Sequence, residues 1–157
     1  MRVSAKELGD IGERHASELL ISRGYNVDSL PTNAPTYDLE ASRKNSSFFV
    51  SVKVARDKQH VRLGARNSVA RLSEGNFVFA FLPKQDAELS SLEMGTYTLL
   101  ILPAEIARQD SLRVHDAYWE AKGTGASYSV MVKGYGRHHK DIWPKWMSYA
   151  DAWQLLP

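Results

Sequence analysis

The chain has 157 residues, 43% of them hydrophobic, with 20 Lys and Arg against 18 Asp and Glu for a formal net charge of +2. That supplies apolar material for one compact core, and it excludes a disordered tail, a collagen-like fibre and a charge-solvated linker. The absence of cysteine excludes a disulfide framework, a Cys-based zinc site, an iron–sulfur cluster and a cysteine nucleophile, so any metal must be held by oxygen or imidazole. No apolar run approaches the roughly 20 residues that cross a bilayer, and the opening MRVSAKELGD lacks the basic-then-apolar pattern of a secretory signal. The expectation is a cytoplasmic protein with no membrane partner.

The small net charge conceals an asymmetry. Residues 1–40 and 72–120 are acidic on balance, whereas residues 41–71 carry Arg43, Lys44, Lys53, Arg56, Lys58, Arg62, Arg66 and Arg71 against Asp57 alone. A basic stretch of this kind suits a surface that faces a polyanion, because clustered cations displace counterions condensed on a phosphate backbone. The competing reading is a solvated helix face.

In chain order, Ser4 followed by Glu7 forms a capping box, and Gly24 supplies the left-handed residue that ends the helix. Leu8, Ile11, Gly12, His15, Ala16 and Leu19 fall on one side at helical spacing, with Glu13 on the shoulder of that stripe. Gly24 to Val27 reads as a turn into a short strand, and Pro31 to Pro35 as a loop. Tyr37 to Ala41 and Phe48 to Val54 read as the strands of an antiparallel hairpin joined through Ser42 to Ser47. Asp57 to Leu72 is expected to be a second helix, with Val61, Ala65, Val69 and Leu72 behind Arg62 and Arg66, although Gly64 and Asn67 weaken it.

Asn76 to Leu82 and Tyr97 to Leu102 are almost continuously apolar, as strands buried on both faces are. Pro103 to Gln109 reads as a short helix. No repeat, low-complexity tract or linker interrupts the chain. The order predicts one α/β domain over residues 1–157, a mixed central sheet flanked by helices, with a core of about 4–109 and a C-terminal extension of 110–157.

Chemistry concentrates on Glu13, on Asp38 with Glu40, and on Lys53. Strand side chains alternate, so Asp38 and Glu40 share a face, as do Ser51 and Lys53. Converging carboxylates cannot all stay charged unless a cation joins them, and hard divalent ions accept such an oxygen set. A lysine beside the ion can orient a water or stabilise charge developing on a phosphorane. The same residue types also occur on ordinary solvated strand edges.

The run GERHASELLISRGYNV (Gly12 to Val27), then YDLEA (Tyr37 to Ala41), then FFVSVKV (Phe48 to Val54) resembles the core of the PD-(D/E)xK nuclease superfamily, the restriction-endonuclease-like fold. The likeness covers roughly residues 8–102. It implies a helix carboxylate at Glu13, a metal-ligand aspartate at Asp38 and the motif lysine at Lys53, with Mg²⁺ or Mn²⁺ as cofactor. It also implies a nucleic-acid partner, DNA before RNA. Many members of that superfamily work as dimers, so a homodimer is an assembly the resemblance allows.

One position departs: Ser51 stands where the superfamily has Glu, Asp or Gln. A hydroxyl is a poorer, neutral ligand. Either Glu40 supplies the missing oxygen as a migrated ligand, or the site is degenerate and the domain binds nucleic acid or a protein partner without cutting.

Other candidates are weaker. Adjacent His138 and His139 point in different directions from a Gly-rich loop, which suits a solvated pair better than a metal site. His60 could touch a phosphate or be plain surface. In Lys133 to Trp146, Tyr135, Trp143 and Trp146 interleave with Arg137, Lys140 and Lys145; base stacking competes there with core packing, and packing is favoured. Lys133-Gly134-Tyr135-Gly136 lacks Walker spacing, and no G-x-S-x-G elbow occurs.

The sequence therefore predicts a metal-dependent endonuclease of nucleic acid. Glu13, Asp38, Ser51 and Lys53 form its catalytic set, and Asp38 with Glu13 or Glu40 its metal ligands. Arg56, Lys58, His60, Arg62, Arg66, Arg137 and Lys140 are its nucleic-acid contacts. The alternatives are a catalytically degenerate binding module of the same fold, and a structural or inhibitory partner-binding domain.

Overall fold

The computed structural model describes residues 3–56, 60–84, 95–122, 128–131 and 141–157. Helix α1 (Ala5–Ser22) starts on the predicted capping box: the Glu7 amide donates to Ser4 Oγ at 3.1 Å, and the Ser4 amide donates to the Glu7 carboxylate at 2.8 Å. Both bonds satisfy amides that the first helical turn leaves without partners. The chain turns away at Gly24, whose φ of +93° lies in the left-handed region that a glycine adopts without cost. Leu8, Gly12, Ala16 and Leu20, spaced four apart, form the buried stripe of the helix.

Strands β1 (Asn26–Ser29), β2 (Leu39–Arg43) and β3 (Ser46–Val54) form an antiparallel meander, with Leu39 opposite Val50 and Arg43 opposite Ser46. The β2–β3 turn is tighter than predicted, because Lys44 adopts a φ of +55° that lets two residues close the hairpin. The chain then passes through β4 (His60–Gly64) and α2 (Arg66–Ala70) before β5 (Phe77–Pro83) joins β3 in parallel. Strand β6 (Tyr97–Pro103) pairs antiparallel with β5, completing a mixed sheet of order β1-β2-β3-β5-β6. Helix α3 (Ala104–Lys122), strand β7 (Tyr128–Met131), helix α4 (Ile142–Met147) and a 3-10 turn at Trp153–Leu155 follow, and β7 pairs with β4 in a second, two-stranded sheet.

Each face of the sheet carries its own core. On one side α1 covers Leu39, Val50, Val52, Phe79 and Ile101. On the other, β4, α3 and α4 cover Val78, Ala80, Leu82, Leu100 and Leu102. Covering both faces explains why β5 and β6 read as unbroken apolar runs. The outer edge of β6 is also occupied: the Ile101 amide donates to the Tyr149 carbonyl at 3.0 Å, and the Asp151 amide to the Leu99 carbonyl at 2.8 Å. The last residues of the chain thereby close an edge that would otherwise be open to other strands.

Two expected elements differ. The helix predicted over 57–72 is instead β4 followed by the five-residue α2. Val61 and Leu63 are buried on either side of exposed Arg62, a strand alternation, and Gly64 at φ +102° breaks the chain before α2. The short helix predicted at 103–109 continues to Lys122, with Ala104, Ala107, Ser111 and Val114 buried along it. The core reading of the tryptophans holds where the structure describes them. Trp146 is buried with its Nε1–H donating to Asp110 at 2.8 Å, Trp143 packs on the same core, and Trp153 meets Phe79 edge-on at 5.7 Å. The Lys133 to Lys140 part of the aromatic–basic segment, with its glycines and histidines, lies outside the described residues.

Candidate functional site

A missing side chain positions the site. A Cβ on Gly12 would stand 2.4 Å from Val54 Cγ2 and 3.3 Å from Val52 Cγ1, so α1 rests on β3 at a distance only glycine permits. Glu13, the next helical residue, is thereby carried to the edge of β3. There β2 has run out, because its first residue, Leu39, faces Val50 and no β2 residue is paired with Val52. Asp38 completes the ladder. Its amide donates to the Val50 carbonyl at 2.9 Å, and its carboxylate Oδ2 accepts the Val52 amide at 2.7 Å. A side chain thus replaces a strand partner for a backbone donor that would otherwise be lost.

The approach to Asp38 is held from a third element. Thr36 has a φ of 74°, an uncommon conformation for a β-branched residue, and its hydroxyl donates to the Ser68 carbonyl at 2.8 Å. That bond ties the loop before Asp38 to α2.

The Glu13 and Asp38 carboxyls lie close enough to act on one another, and the charge of Lys53 acts on both. Burial pushes Glu13 above the usual carboxylate range, followed by the charges of Asp38 and Asp10, while Lys53 opposes the rise. Burial likewise pushes Asp38 up, against the lowering effects of the Val52 amide, Lys53 and Glu13.

Glu40 lies opposite Phe49, and the side-chain charges acting on Glu13 and Asp38 come from each other, Asp10 and Lys53. Among the described residues no three His, Cys, Asp or Glu side chains gather into a metal-holding group. Ser51 follows Val50 on β3, shares the Lys53 face and is only 1% exposed.

The predicted phosphate contacts are dispersed. Arg56 donates to the Val3 carbonyl at 2.6 Å, tying the end of β3 to the lead-in of α1. Arg66 makes a two-point contact with Asp116 of α3 at 3.3 and 3.2 Å. Arg62 projects to solvent from β4, and His60 opens the same strand opposite Met131. Lys58, Arg137 and Lys140 lie outside the described residues.

Sequence reasoning missed the Asp38–Val52 bond, the Thr36 tether and the effect of Asp10 on Glu13. A sequence signal existed for the helix contact: a glycine on an otherwise apolar stripe, directly before a glutamate.

No family model matches the sequence, and no curated protein matches it. Solved structures do. The chain is similar to a bacterial homing endonuclease, I-Ssp6803I, with a TM-score of 0.52 and 17% identity over 97% of this chain and 91% of that one. It is also similar to Hjc, a Holliday junction resolvase from the archaeal hyperthermophile Archaeoglobus fulgidus, with a TM-score of 0.52 and 14% identity over 87% of this chain and 88% of that one. At these identities the likeness is one of fold. The chain has the restriction-endonuclease-like fold. Among the described residues no helix is long and apolar enough to cross a membrane.

Proposed function

We propose that the protein is a metal-dependent endonuclease that hydrolyses phosphodiester bonds in DNA. One observation carries this reading: two partly buried carboxyls, Glu13 from α1 and Asp38 beside β3, come close enough to act on one another and on Lys53. Burying like charges side by side opposes folding unless a proton or a cation joins them. The donors are hard oxygens, and Mg²⁺ commonly binds through one or two carboxylates while keeping several waters, so the pair fits Mg²⁺ or Mn²⁺. Asp38 and Glu13 would hold the ion; when bound it would supply Lewis-acid polarisation and charge neutralisation at the phosphoryl oxygens.

The chain's own groups do the rest. The Val52 amide fixes the orientation of the Asp38 carboxylate. Lys53 orients the attacking water and stabilises negative charge developing on the phosphorane. Ser51 contributes no charge, so metal affinity is lower than a third carboxylate would give. Arg62, with Lys58, His60, Arg137 and Lys140, contacts the phosphate backbone; Arg56 and Arg66 hold the surrounding elements and add positive potential. The similar structures are of an endonuclease and of a junction resolvase, which supports the same chemistry.

Plasmid incubated with purified protein and Mg²⁺ tests this reading beside a Lys53→Ala control. Cleavage abolished by chelation and by Lys53→Ala is expected; equal activity in the two proteins rejects Lys53 as catalytic.

The second reading is a binding module without cleavage, favoured by the buried Ser51 and by the lack, among the described residues, of a three-residue metal-holding group. It predicts salt-sensitive DNA binding that chelation leaves unchanged.

A further inference from the structure

Among the large exposed hydrophobic side chains, Phe49 alone lies on the strand that carries Lys53; it is 37% exposed. Strand alternation puts Phe49, Ser51 and Lys53 on one face, with Phe49 about 7 Å along β3 from Ser51. Its ring stacks on Tyr37, the residue directly before Asp38, with centroids 5.5 Å apart and planes inclined by 29°. Phe49 belongs to neither hydrophobic core.

The pair is nonetheless fixed in place. The Tyr37 hydroxyl accepts the Ser73 amide at 2.9 Å, the Phe49 amide donates to Asn76 Oδ1 at 2.8 Å, and the Thr36 tether holds the chain just before Tyr37. Helix α2 and the turn that follows it thus hold an aromatic shelf next to Asp38. Tyr37 packs against one core while Phe49 packs against neither, so the exposed Phe49 ring, backed by Tyr37, has the chemistry of a stacking platform for a planar ligand.

Inside an intact duplex every base is already stacked on both sides, so an aromatic shelf gains contact only with a base that is unpaired, terminal or flipped out. We propose that the Tyr37–Phe49 shelf binds an unstacked base beside the cleaved phosphate, so that the substrate class is DNA interrupted by unpaired bases, such as a single-stranded flap. This inference rests on the nuclease reading of the adjoining acids for its position, and it deepens that reading by naming the substrate.

Binding of the full chain to labelled DNA without metal tests the shelf independently of cleavage. The probes are a fully paired duplex and the same duplex bearing a flap, with 2-aminopurine as the first unpaired base. The wild-type protein is expected to bind the flap about tenfold more tightly and to quench the 2-aminopurine. Phe49→Leu removes the preference and the quenching while keeping its affinity for paired DNA, and Phe49→Trp retains both; thermal melts of both variants check their folding.

Equal affinity of the wild type for the two DNAs, quenching that survives Phe49→Leu, equal loss on both DNAs, or no DNA binding overturns the proposal. A protein that prefers the flap but cuts nothing in Mg²⁺ fails the nuclease reading and keeps the shelf. A protein that cuts in Mg²⁺ yet binds both DNAs equally keeps the nuclease reading and loses the shelf.

Discussion

The Asp38 carboxylate accepts the Val52 amide at 2.7 Å, occupying the rung of the ladder that β2 leaves vacant. One side chain therefore has a structural duty to the sheet and, under the proposed function, a chemical duty to the metal. The two duties separate by substitution. Asp38→Asn keeps an acceptor oxygen and is expected to fold near normally while losing cleavage. Asp38→Ala leaves the Val52 amide without its partner and is expected to cost about 1–3 kcal/mol as well as activity. Thermal melts beside a plasmid-cleavage assay distinguish the two variants.

The raised carboxyls make stability depend on pH. A carboxyl whose folded value lies above its unfolded value binds more protons in the folded state through the interval between them, so stability falls as pH rises through that interval. Below the unfolded values the penalty is absent. Glu13→Gln removes one of the two charges and is expected to raise Tm at pH 8, with the gain vanishing at pH 3. Calorimetric melts across that range check the sign, and a lower Tm for Glu13→Gln at pH 8 would contradict it.

Metal should act through the same pair. Mg²⁺ binds the ionised carboxylates and not the protonated ones, so its stabilisation is expected to be larger at pH 8 than at pH 4.5. Melts with and without Mg²⁺ at the two pH values provide the comparison, and no shift at pH 8 would count against metal binding at this pair.

Gly12 offers a test that changes no charge. Gly12→Ala places a methyl group 2.4 Å from Val54 Cγ2, which α1 can relieve only by lifting from β3. The expected cost is about 1–3 kcal/mol, with a loss of cleavage as Glu13 draws back. Val54→Ala in the same chain makes room and should restore part of both, a coupling that a double-mutant cycle measures by urea unfolding.

Much of the scaffold was legible because local rules agree with the tertiary structure. The Ser4–Glu7 box, Gly24 and the apolar runs at 77–83 and 97–103 each became the element their chemistry favours. The hairpin that carries Lys53 was legible for the same reason, with Asp38 placed directly before its first strand and not on it. What local pattern left out was register and tertiary satisfaction. Asp38 and Glu40 share a strand face by alternation, but the meeting of Asp38 with Glu13 depends on where β2 ends and on the approach of α1 at Gly12, which no local pattern encodes. The stretch 57–72 misled because Val61, Ala65, Val69 and Leu72 fit a helical period while Val61 and Leu63 fit a strand; pairing with β7, distant in sequence, selects the strand.

Titration of the metal-free protein with Mn²⁺, followed by electron paramagnetic resonance, tests the central claim most directly. Saturable binding at pH 8 that is sharply weakened by both Asp38→Asn and Glu13→Gln, in variants with intact melts, is the predicted result. Absence of binding by the wild type, or affinity unchanged by either substitution, would contradict it.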